Sequence, residues 1–305
     1  MGFPTFHLEG RKLARVIFSV RQPSSSDARP LFPLTKALYE RGIWCFDLPS
    51  MRHVESFRQL KVLVEDEGLI GVSHIEAEEG VSFLGAPLRR VESKITSTLK
   101  KNLFPSHLIQ TLKQKGVWNS RYFFAASSSS EVLTQKEIDR IAFDPVRFDR
   151  ALARHPLEES PFLMIGGKYG DWLLALGRFD LLKEMVAKIR EKGLIPIFSN
   201  HWTTFALPKA KPLDVAAYSV PINSKWGFFD FDLACKILKK FDRPLIGLDP
   251  LAMGTLVQQA DDALSFLFEE LNLTSVIVEV ESETDADHIL RVLGKFPSLT
   301  PRRKT

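Results

Sequence analysis

Cysteine is scarce in this chain, which contains only Cys45 and Cys235 among its 305 residues. Both lie in apolar stretches and far apart, so the sequence offers neither a disulfide framework nor the clustered spacing of a metal site. No apolar run approaches the roughly 18 residues that a membrane-spanning helix needs. The first ten residues contain no apolar core of signal-peptide length. We therefore expect two buried thiols in a cytoplasmic protein that does not enter a membrane.

The chain also lacks a large excess of charge of one sign. The 41 basic and 37 acidic residues give a net charge of +4, and the two signs are interspersed along the chain. No basic stripe interleaved with aromatic residues occurs, so we expect no nucleic-acid partner. The composition is that of a globular protein, and we expect its partner to be a small-molecule substrate. The sequence leaves the oligomeric state open.

Short β-rich runs alternate with amphipathic helical runs. Most of the β-rich runs are continuously apolar, which is typical of parallel strands covered on both faces. Helical spacing is clearest from Phe179 to Lys192, where Leu182, Met185 and Ile189 share one face. Eight runs are predicted as strands: Ile43–Leu48, Leu69–Ile75, Tyr122–Ala126, Phe162–Ile165, Leu194–Ser199, Val215–Val220, Leu245–Leu248 and Val276–Val280.

Eight such units predict an α/β protein with a closed (β/α)8 TIM barrel. We interpret residues 1–305 as a single domain, with Arg15–Val20 as an extra strand and an insertion at about 80–119. A doubly wound open sheet is the rival architecture. No Gly-x-Gly-x-x-Gly follows any predicted strand, which disfavours a Rossmann domain.

Four stretches resemble the aldo/keto reductase superfamily. Ala37–Asp47 is similar to a helix–strand unit that ends in the family's catalytic aspartate, and Lys192–Asn200 resembles the strand that ends in Ser-Asn. Arg243–Gly254 and Thr274–Glu283 are similar to the two closing strands and their loops. The stretches occur in the family's order and cover about half of the chain. The resemblance implies a barrel whose reactive groups lie at the carboxyl ends of its strands.

The resemblance also implies a tyrosine acid that is tuned by a lysine, an aspartate and a histidine. Only the aspartate has a match, Asp47. From the sequence alone, Asp47 can equally well be interpreted as a loop cap or a salt-bridge partner. Arg52 stands near the tyrosine position, and Gly166-Gly167-Lys168 stands in place of the histidine. The lysine strand is assigned to Tyr122–Ala126, which holds no lysine. The chain therefore resembles a divergent aldo/keto reductase that lacks most of the tetrad.

Lys168 and Tyr169 supply a hypothesis for a rebuilt acid on a different strand, with Asp47 as the third catalytic residue. Proton donation to a carbonyl oxygen requires an acid at the barrel rim. The alternative is a solvated lysine and tyrosine in a loop. On the first interpretation the chain is a nicotinamide-dependent oxidoreductase with a non-standard site.

For the cofactor, the resemblance implies that Ser199 and Asn200 hydrogen-bond a nicotinamide amide, which needs both a donor and an acceptor. Asn200 alternatively caps the following turn. Asp249 takes the place of the aromatic residue that stacks on the nicotinamide. Glu281 takes the place of a basic residue and would repel a 2′-phosphate. The cofactor stays open between NAD and NADP, with NADP disfavoured.

Two other functions remain in play. Asp47, His74, Glu76, His201 and Asp249 all fall at predicted strand ends, and such a rim suits a non-redox isomerase, lyase or hydrolase, with or without a metal ion. We assign no metal ligands. A barrel that has lost catalysis and serves as a binding module would instead use aromatic loop residues, namely Trp202, Trp226, Phe228 and Phe229.

Overall fold

The computed structural model describes residues 4–21, 30–103, 131–156, 158–225 and 231–296. Within them, the strands are β1 (Thr5–Leu8), β2 (Arg11–Ala14), β3 (Val16–Val20), β4 (Cys45–Leu48), β5 (Ile70–Glu76), β6 (Val81–Phe83), β7 (Ala86–Pro87), β8 (Ile141–Phe143), β9 (Phe162–Gly166), β10 (Ile195–Ser199), β11 (Ala217–Pro221), β12 (Leu245–Leu248) and β13 (Ser275–Val280). The α-helices are α1 (Phe32–Glu40), α2 (Met51–Val64), α3 (Glu92–Leu103), α4 (Gln135–Ile138), α5 (Pro145–Leu152), α6 (Gly167–Ala175), α7 (Phe179–Glu191), α8 (Thr203–Ala210), α9 (Phe231–Lys240), α10 (Ala260–Ser265) and α11 (Glu283–Leu293).

Eight parallel strands close into a barrel in the order β3, β4, β5, β9, β10, β11, β12, β13. Nearly every residue of these strands is buried, because one face fills the lumen and the other packs against the surrounding helices. This explains why the strands are continuously apolar rather than alternating. The predicted (β/α)8 TIM barrel is confirmed.

One detail of the strand prediction was wrong. The run Arg15–Val20 is not an extra strand, because β3 pairs with β13 on one side and with β4 on the other and so closes the ring. The predicted strand Tyr122–Ala126 lies outside the described residues, and the barrel closes without it through direct pairing of β5 with β9. Composition identifies a strand, but it does not reveal which neighbour the strand pairs with.

The amino-terminal end of the lumen is closed by a two-stranded hairpin, β1 and β2. Its Phe6 and Leu13 pack with the inward-facing Phe162, Met164 and Ile197 in one buried cluster. Cys45 belongs to the same cluster and is a free thiol, and burial raises its pKa to about 12. Cys235 is also free but only half-buried.

Between β5 and β9 the chain leaves the regular repeat. β6, β7 and β8 form a small antiparallel sheet, and α3 packs near α6 of the barrel. The predicted single domain with an insertion at about 80–119 stays a prediction. Among the described helices, none combines the length and the apolarity that crossing a membrane would require.

Candidate functional site at the barrel mouth

A cavity of about 380 Å³ opens at the carboxyl ends of the barrel strands. Alternate residues of each strand face the lumen. The last inward-facing residues, at the carboxyl ends of the strands, therefore line this cavity. The polar residues that line the cavity are Asp47, His74, Glu76, Ser199, His201, Asp249 and Glu279. The five rim residues singled out in the sequence therefore share one cavity.

A short polar contact between two side chains of the cavity joins Asp47 of β4 to His74 of β5. His74 Nε2 lies 2.5 Å from Asp47 Oδ1, and Asp47 is only 5% exposed. Burial by itself would lower the pKa of His74, but the charge of Asp47, its hydrogen bond and the charge of Glu76 outweigh burial and raise it. The pair is therefore a buried carboxylate that favours the protonated form of the imidazole at the cavity wall.

Three further carboxyl groups line the same cavity. Burial raises the pKa of Glu76 to about 6, against the opposing charges of His74 and Lys168. Burial, with the charges of Asp249 and Asp47, raises the pKa of Glu279 to about 7. The Glu279 side chain is 44% exposed, so solvent screens part of this effect. Burial also raises the pKa of Asp249.

A second histidine, His201, follows β10 and stays neutral. Burial, together with the charge of His74, lowers its pKa to about 4. Its backbone position is fixed by Asp171, whose Oδ2 accepts hydrogen bonds from the amides of His201 and Trp202 at 2.9 and 2.8 Å. Asp171 is fully buried, and this burial raises its pKa to about 8. The cavity thus holds one imidazole whose protonated form is favoured, His74, and one whose neutral form is favoured, His201.

Two glycines at the carboxyl end of β9 let the backbone lie close to neighbouring groups of the mouth. Gly166 has φ +134°, and a Cβ there would lie 2.3 Å from the carbonyl oxygen of Ser199. A Cβ on Gly167 would lie 2.3 Å from the carboxylate of Glu76. Only glycine fits at both positions without displacing a neighbour.

Lys168 and Tyr169, predicted as catalytic, both contact Glu92 of the inserted helix α3. Lys168 Nζ lies 2.8 Å from one carboxylate oxygen, and the Tyr169 hydroxyl donates to the other at 3.1 Å. Burial, with the charges of Glu78 and Glu92, raises the pKa of Tyr169 far above its ordinary value. Neither residue lines the cavity. The structure therefore does not bring them together with Asp47.

Of the predicted amide-binding pair, Ser199 and Asn200, only Ser199 lines the cavity. Ser199 lines the cavity, is 7% exposed, and its hydroxyl has no hydrogen-bond partner among the described residues. Asn200 does not line the cavity and is completely buried, with Nδ2 donating to the Ser219 carbonyl at 3.1 Å. Asn200 Oδ1 has no partner within the described part of the chain. Ser199 is available to a ligand, whereas Asn200 links two strands.

Asp249 lines the cavity from the loop after β12, with a left-handed backbone at φ +52°. Its Oδ1 accepts a hydrogen bond from the Met253 amide at 2.5 Å. A second cavity of about 450 Å³ adjoins the first through Glu279. It contains Arg21, which lies 3.0 Å from Glu281 and 3.7 Å from Glu279. Glu281, predicted in the sequence to stand where a 2′-phosphate would be bound, therefore belongs to an internal ion pair.

The other sequence candidates fall away from the cavity or from the described residues. Arg52 lies exposed on the first turn of α2. Trp202 is 6% exposed and stacks on Phe205 with ring centroids 4.3 Å apart, whereas Trp226, Phe228 and Phe229 lie outside the described residues. No group of three or more His, Cys, Asp or Glu side chains within the described ranges is arranged to hold a metal ion.

Two residues of the site were missed in the sequence. Glu279 interrupts the apolar run of β13 near its carboxyl end, and a charge at an inward-facing strand position is a signal that could have identified it. Asp171 stands beside Trp172 and two leucines in α6, and an acid within such a buried run is a weaker signal of the same kind.

The barrel is similar to those of known aldo-keto reductases. A protein from Pseudomonas aeruginosa assigned as an aldo-keto reductase superposes with a TM-score of 0.55 at 13% identity, over 95% of this chain and 94% of that one. A thermostable aldo-keto reductase, solved with the inhibitor epalrestat, gives a TM-score of 0.53 at 11% identity, over 96% of this chain and 94% of that one. At these identities the likeness concerns the fold alone. No family model matches the sequence, and no curated protein matches it. The chain is thus a divergent TIM barrel with an aldo/keto-reductase-like fold.

Proposed function

We propose that this protein is an enzyme that carries out general acid–base chemistry on a small polar molecule in the mouth cavity. The observation that supports this most directly is the 2.5 Å contact between His74 and Asp47. An imidazole oriented by a buried carboxylate is a common arrangement for moving a proton, because the carboxylate fixes the ring and stabilises its charged form. A polar cavity next to the pair provides room for a substrate.

The carboxyl groups complete the chemistry. A pKa of about 6 for Glu76 or about 7 for Glu279 puts either group near the pH at which a general base works best. We assign His74 as the acid that gives its proton to a substrate oxygen, while Glu76 or Glu279 removes a proton from the neighbouring carbon. The product is an enol, and return of the proton to a different atom makes the reaction an isomerisation.

Deuterium exchange tests this proposal across many candidate substrates at once. The protein is incubated with a mixture of small sugars, hydroxy acids and amino acids in deuterium oxide, and carbon-bound deuterium is measured by mass spectrometry. We expect labelling of at least one compound, and a loss of about 10²–10⁴-fold in the His74→Gln variant. Labelling that is equally fast in His74→Gln, or no labelling at all, contradicts the proposal. Glu191→Gln, which removes an exposed charge from α7, serves as the matched control.

A nicotinamide-dependent oxidoreductase is the second candidate. The unpartnered Ser199 hydroxyl and the cavity that adjoins the mouth favour it, since together they offer room for a ligand in two parts. Asn200 does not fit this function because it does not line the cavity and its Nδ2 already donates to the Ser219 carbonyl. Arg21 fits poorly as well, because Glu279 and Glu281 already pair with it.

Nucleotide binding distinguishes the two candidates. An oxidoreductase predicts that NADH or NADPH at about millimolar concentration raises the melting temperature or quenches tryptophan fluorescence. If Lys168 and Tyr169 provide its acid, replacing either residue would abolish reduction. Our first proposal expects neither nucleotide to change the melting temperature.

A further inference from the structure

We infer that the mouth cavity selects a small organic molecule that carries a positively charged amino group. This inference names the ligand class for the site of the proposed function and rests on that proposal only in sharing its cavity. Three observations support it: the charges of the lining residues, the ion pairs that already engage the nearby Lys and Arg side chains, and one hydroxyl that makes no hydrogen bond to the described residues.

Negative groups outnumber positive ones in the lining. Asp47, Glu76, Asp249 and Glu279 contribute carboxylates, and His74 is the cation among the lining residues that the structure describes. His74 offsets the charge of Asp47 through their contact. Glu279 shares Arg21 with Glu281, so Glu76, Asp249 and the partly compensated Glu279 remain for a ligand, and mutual repulsion among them favours a bound cation.

The basic residues around the cavity are engaged elsewhere. Lys168 lies 2.8 Å from Glu92, and Arg21 lies closer to Glu281 than to Glu279. Glu76 and Asp249 have no Lys or Arg within ion-pair distance among the described residues. These two carboxylates are therefore the strongest attraction for a ligand's charge.

Ser199 provides an independent indication that a polar ligand belongs here. Its side chain follows the inward-facing Ile195 and Ile197 along β10. Ser199 as a residue is only 7% exposed, and its hydroxyl makes no hydrogen bond to another described residue. Because this hydroxyl is not among the fully buried side-chain atoms that lack a partner and Ser199 lines the cavity, it is open to an ammonium or hydroxyl group of a ligand.

Size and geometry favour an organic cation over a metal ion. The cavity of about 380 Å³ falls within the roughly 300–1,000 Å³ of small-molecule sites. A metal ion would need several oxygen or nitrogen ligands converging on one point, and the described side chains form no such group.

A matched set of four-carbon compounds tests the inference. Calorimetry at about pH 7.5, with EDTA present to remove metal ions, compares 1,4-diaminobutane, 1,4-butanediol and succinate, which are dicationic, neutral and dianionic. We expect the diamine to bind at least about tenfold more tightly than the diol, and succinate not to bind. Equal binding of diol and diamine, or preferred binding of succinate, overturns the inference.

Substitutions locate the effect. Glu279→Gln and Asp249→Asn should each weaken diamine binding by about three- to tenfold, whereas Glu191→Gln, which removes the same charge far from the mouth, should leave it unchanged. Two different cavity variants guard against a folding defect in one of them, and melting curves identify such a defect. Unchanged binding in both cavity variants contradicts the assignment.

Acidification provides a further readout. Glu279 faces Asp47, Asp249, Arg21 and Glu281, while Glu76 faces His74, Lys168 and Glu78. Protonation of Glu279 and Glu76 removes negative charge as the pH falls through about 7 and about 6, so diamine binding should weaken over this interval. Binding that is unchanged by pH contradicts the inference.

The His74→Gln variant separates this inference from the proposed function. It removes the positive charge beside Asp47, so diamine binding should strengthen even though deuterium labelling is lost. Labelling lost without any preference for the diamine contradicts the ligand class alone. A preference for the diamine with labelling unaffected in His74→Gln contradicts the acid–base function alone.

Discussion

The two ends of the barrel lumen differ in nearly every physical respect. At the amino-terminal end, apolar side chains such as Phe162 and Ile197 are fully buried and pack against the β1–β2 hairpin. At the carboxyl end, the same strands finish in Asp47, Glu76 and Glu279 around an open cavity. The amino-terminal end buries apolar surface, and the carboxyl end holds charged groups in a cavity that is only partly open to solvent.

This difference shows how one strand serves both stability and chemistry. Along β5, Val72 belongs to the buried cluster, while His74 and Glu76 on the same face reach the cavity. The apolar end stabilises the fold regardless of pH. The polar end holds carboxyl groups whose pKa values are raised, and these groups lower stability when they ionise. Substitutions at the two ends should therefore give different kinds of effect.

The largest expected loss of stability is at the apolar end. Phe162→Ala should reduce the free energy of unfolding by about 3–5 kcal/mol, because it leaves a cavity within the packed lumen. Val62→Ala on the exposed face of α2 is the control, and its change should stay within about 0.5 kcal/mol. Urea denaturation measures both. A loss below about 1 kcal/mol for Phe162→Ala would show that the lumen is not packed as described.

A smaller loss of stability is expected at Gly166, where two backbone segments lie close together at the mouth. Gly166→Ala should cost about 2–3 kcal/mol, since a Cβ at this φ is strained and would collide with the Ser199 carbonyl. Gly177→Ala is the matched control, because Gly177 also has a positive φ of +77° but no atom within 4 Å of its added Cβ. The difference between the two variants reports the collision together with the greater backbone strain at φ +134°. Equal melting temperatures would contradict a close approach at Gly166.

The pH dependence of stability sharpens the comparison further. Because the pKa of Asp171 is raised from 3.8 to about 8 in the folded protein, its contribution to stability falls as the pH rises through this interval. Asp171→Asn should remove this term, which we expect to be about 1–3 kcal/mol. Thermal unfolding at about pH 5.5 and about pH 8.5 compares the variant with the parent protein. An equal pH dependence in both proteins would show that Asp171 is ionised throughout.

The smallest expected effect is at the surface of the closed end. Glu9 of the β1–β2 hairpin pairs with Arg190, but the two side chains are 39% and 26% exposed. Glu9→Gln should therefore change the free energy of unfolding by less than about 1 kcal/mol. A loss as large as that of Phe162→Ala, measured in the same urea experiment, would contradict the view that apolar packing closes this end.

Much of the barrel could be predicted from the sequence because its strands are short, apolar and separated by amphipathic helices. Seven predicted runs and Arg15–Val20 correspond to the eight barrel strands. What the sequence could not provide was their pairing. Because Tyr122–Ala126 has the composition of a strand, it was predicted as one of the eight barrel strands. Arg15–Val20 was then interpreted as an extra strand.

The site was predictable only in part. Asp47, His74 and Asp249 were placed at the rim by their positions after strands, and the cavity does contain them. The direct contact of Asp47 with His74 depends on the register of β4 with β5, which no local pattern reveals. Lys168 and Tyr169 were predicted as catalytic because no local pattern reveals their partner, Glu92, which lies more than 70 positions earlier in the chain.

The most direct test of the account is the titration of His74 by NMR. The protein contains seven histidines, and loss of one signal in His74→Gln assigns the resonance. We predict a pKa above the ordinary value of about 6.5 in the parent protein and below it in Asp47→Asn, where burial acts without the neighbouring charge. A pKa at or below the ordinary value that does not respond to Asp47→Asn would contradict the acid–base pair.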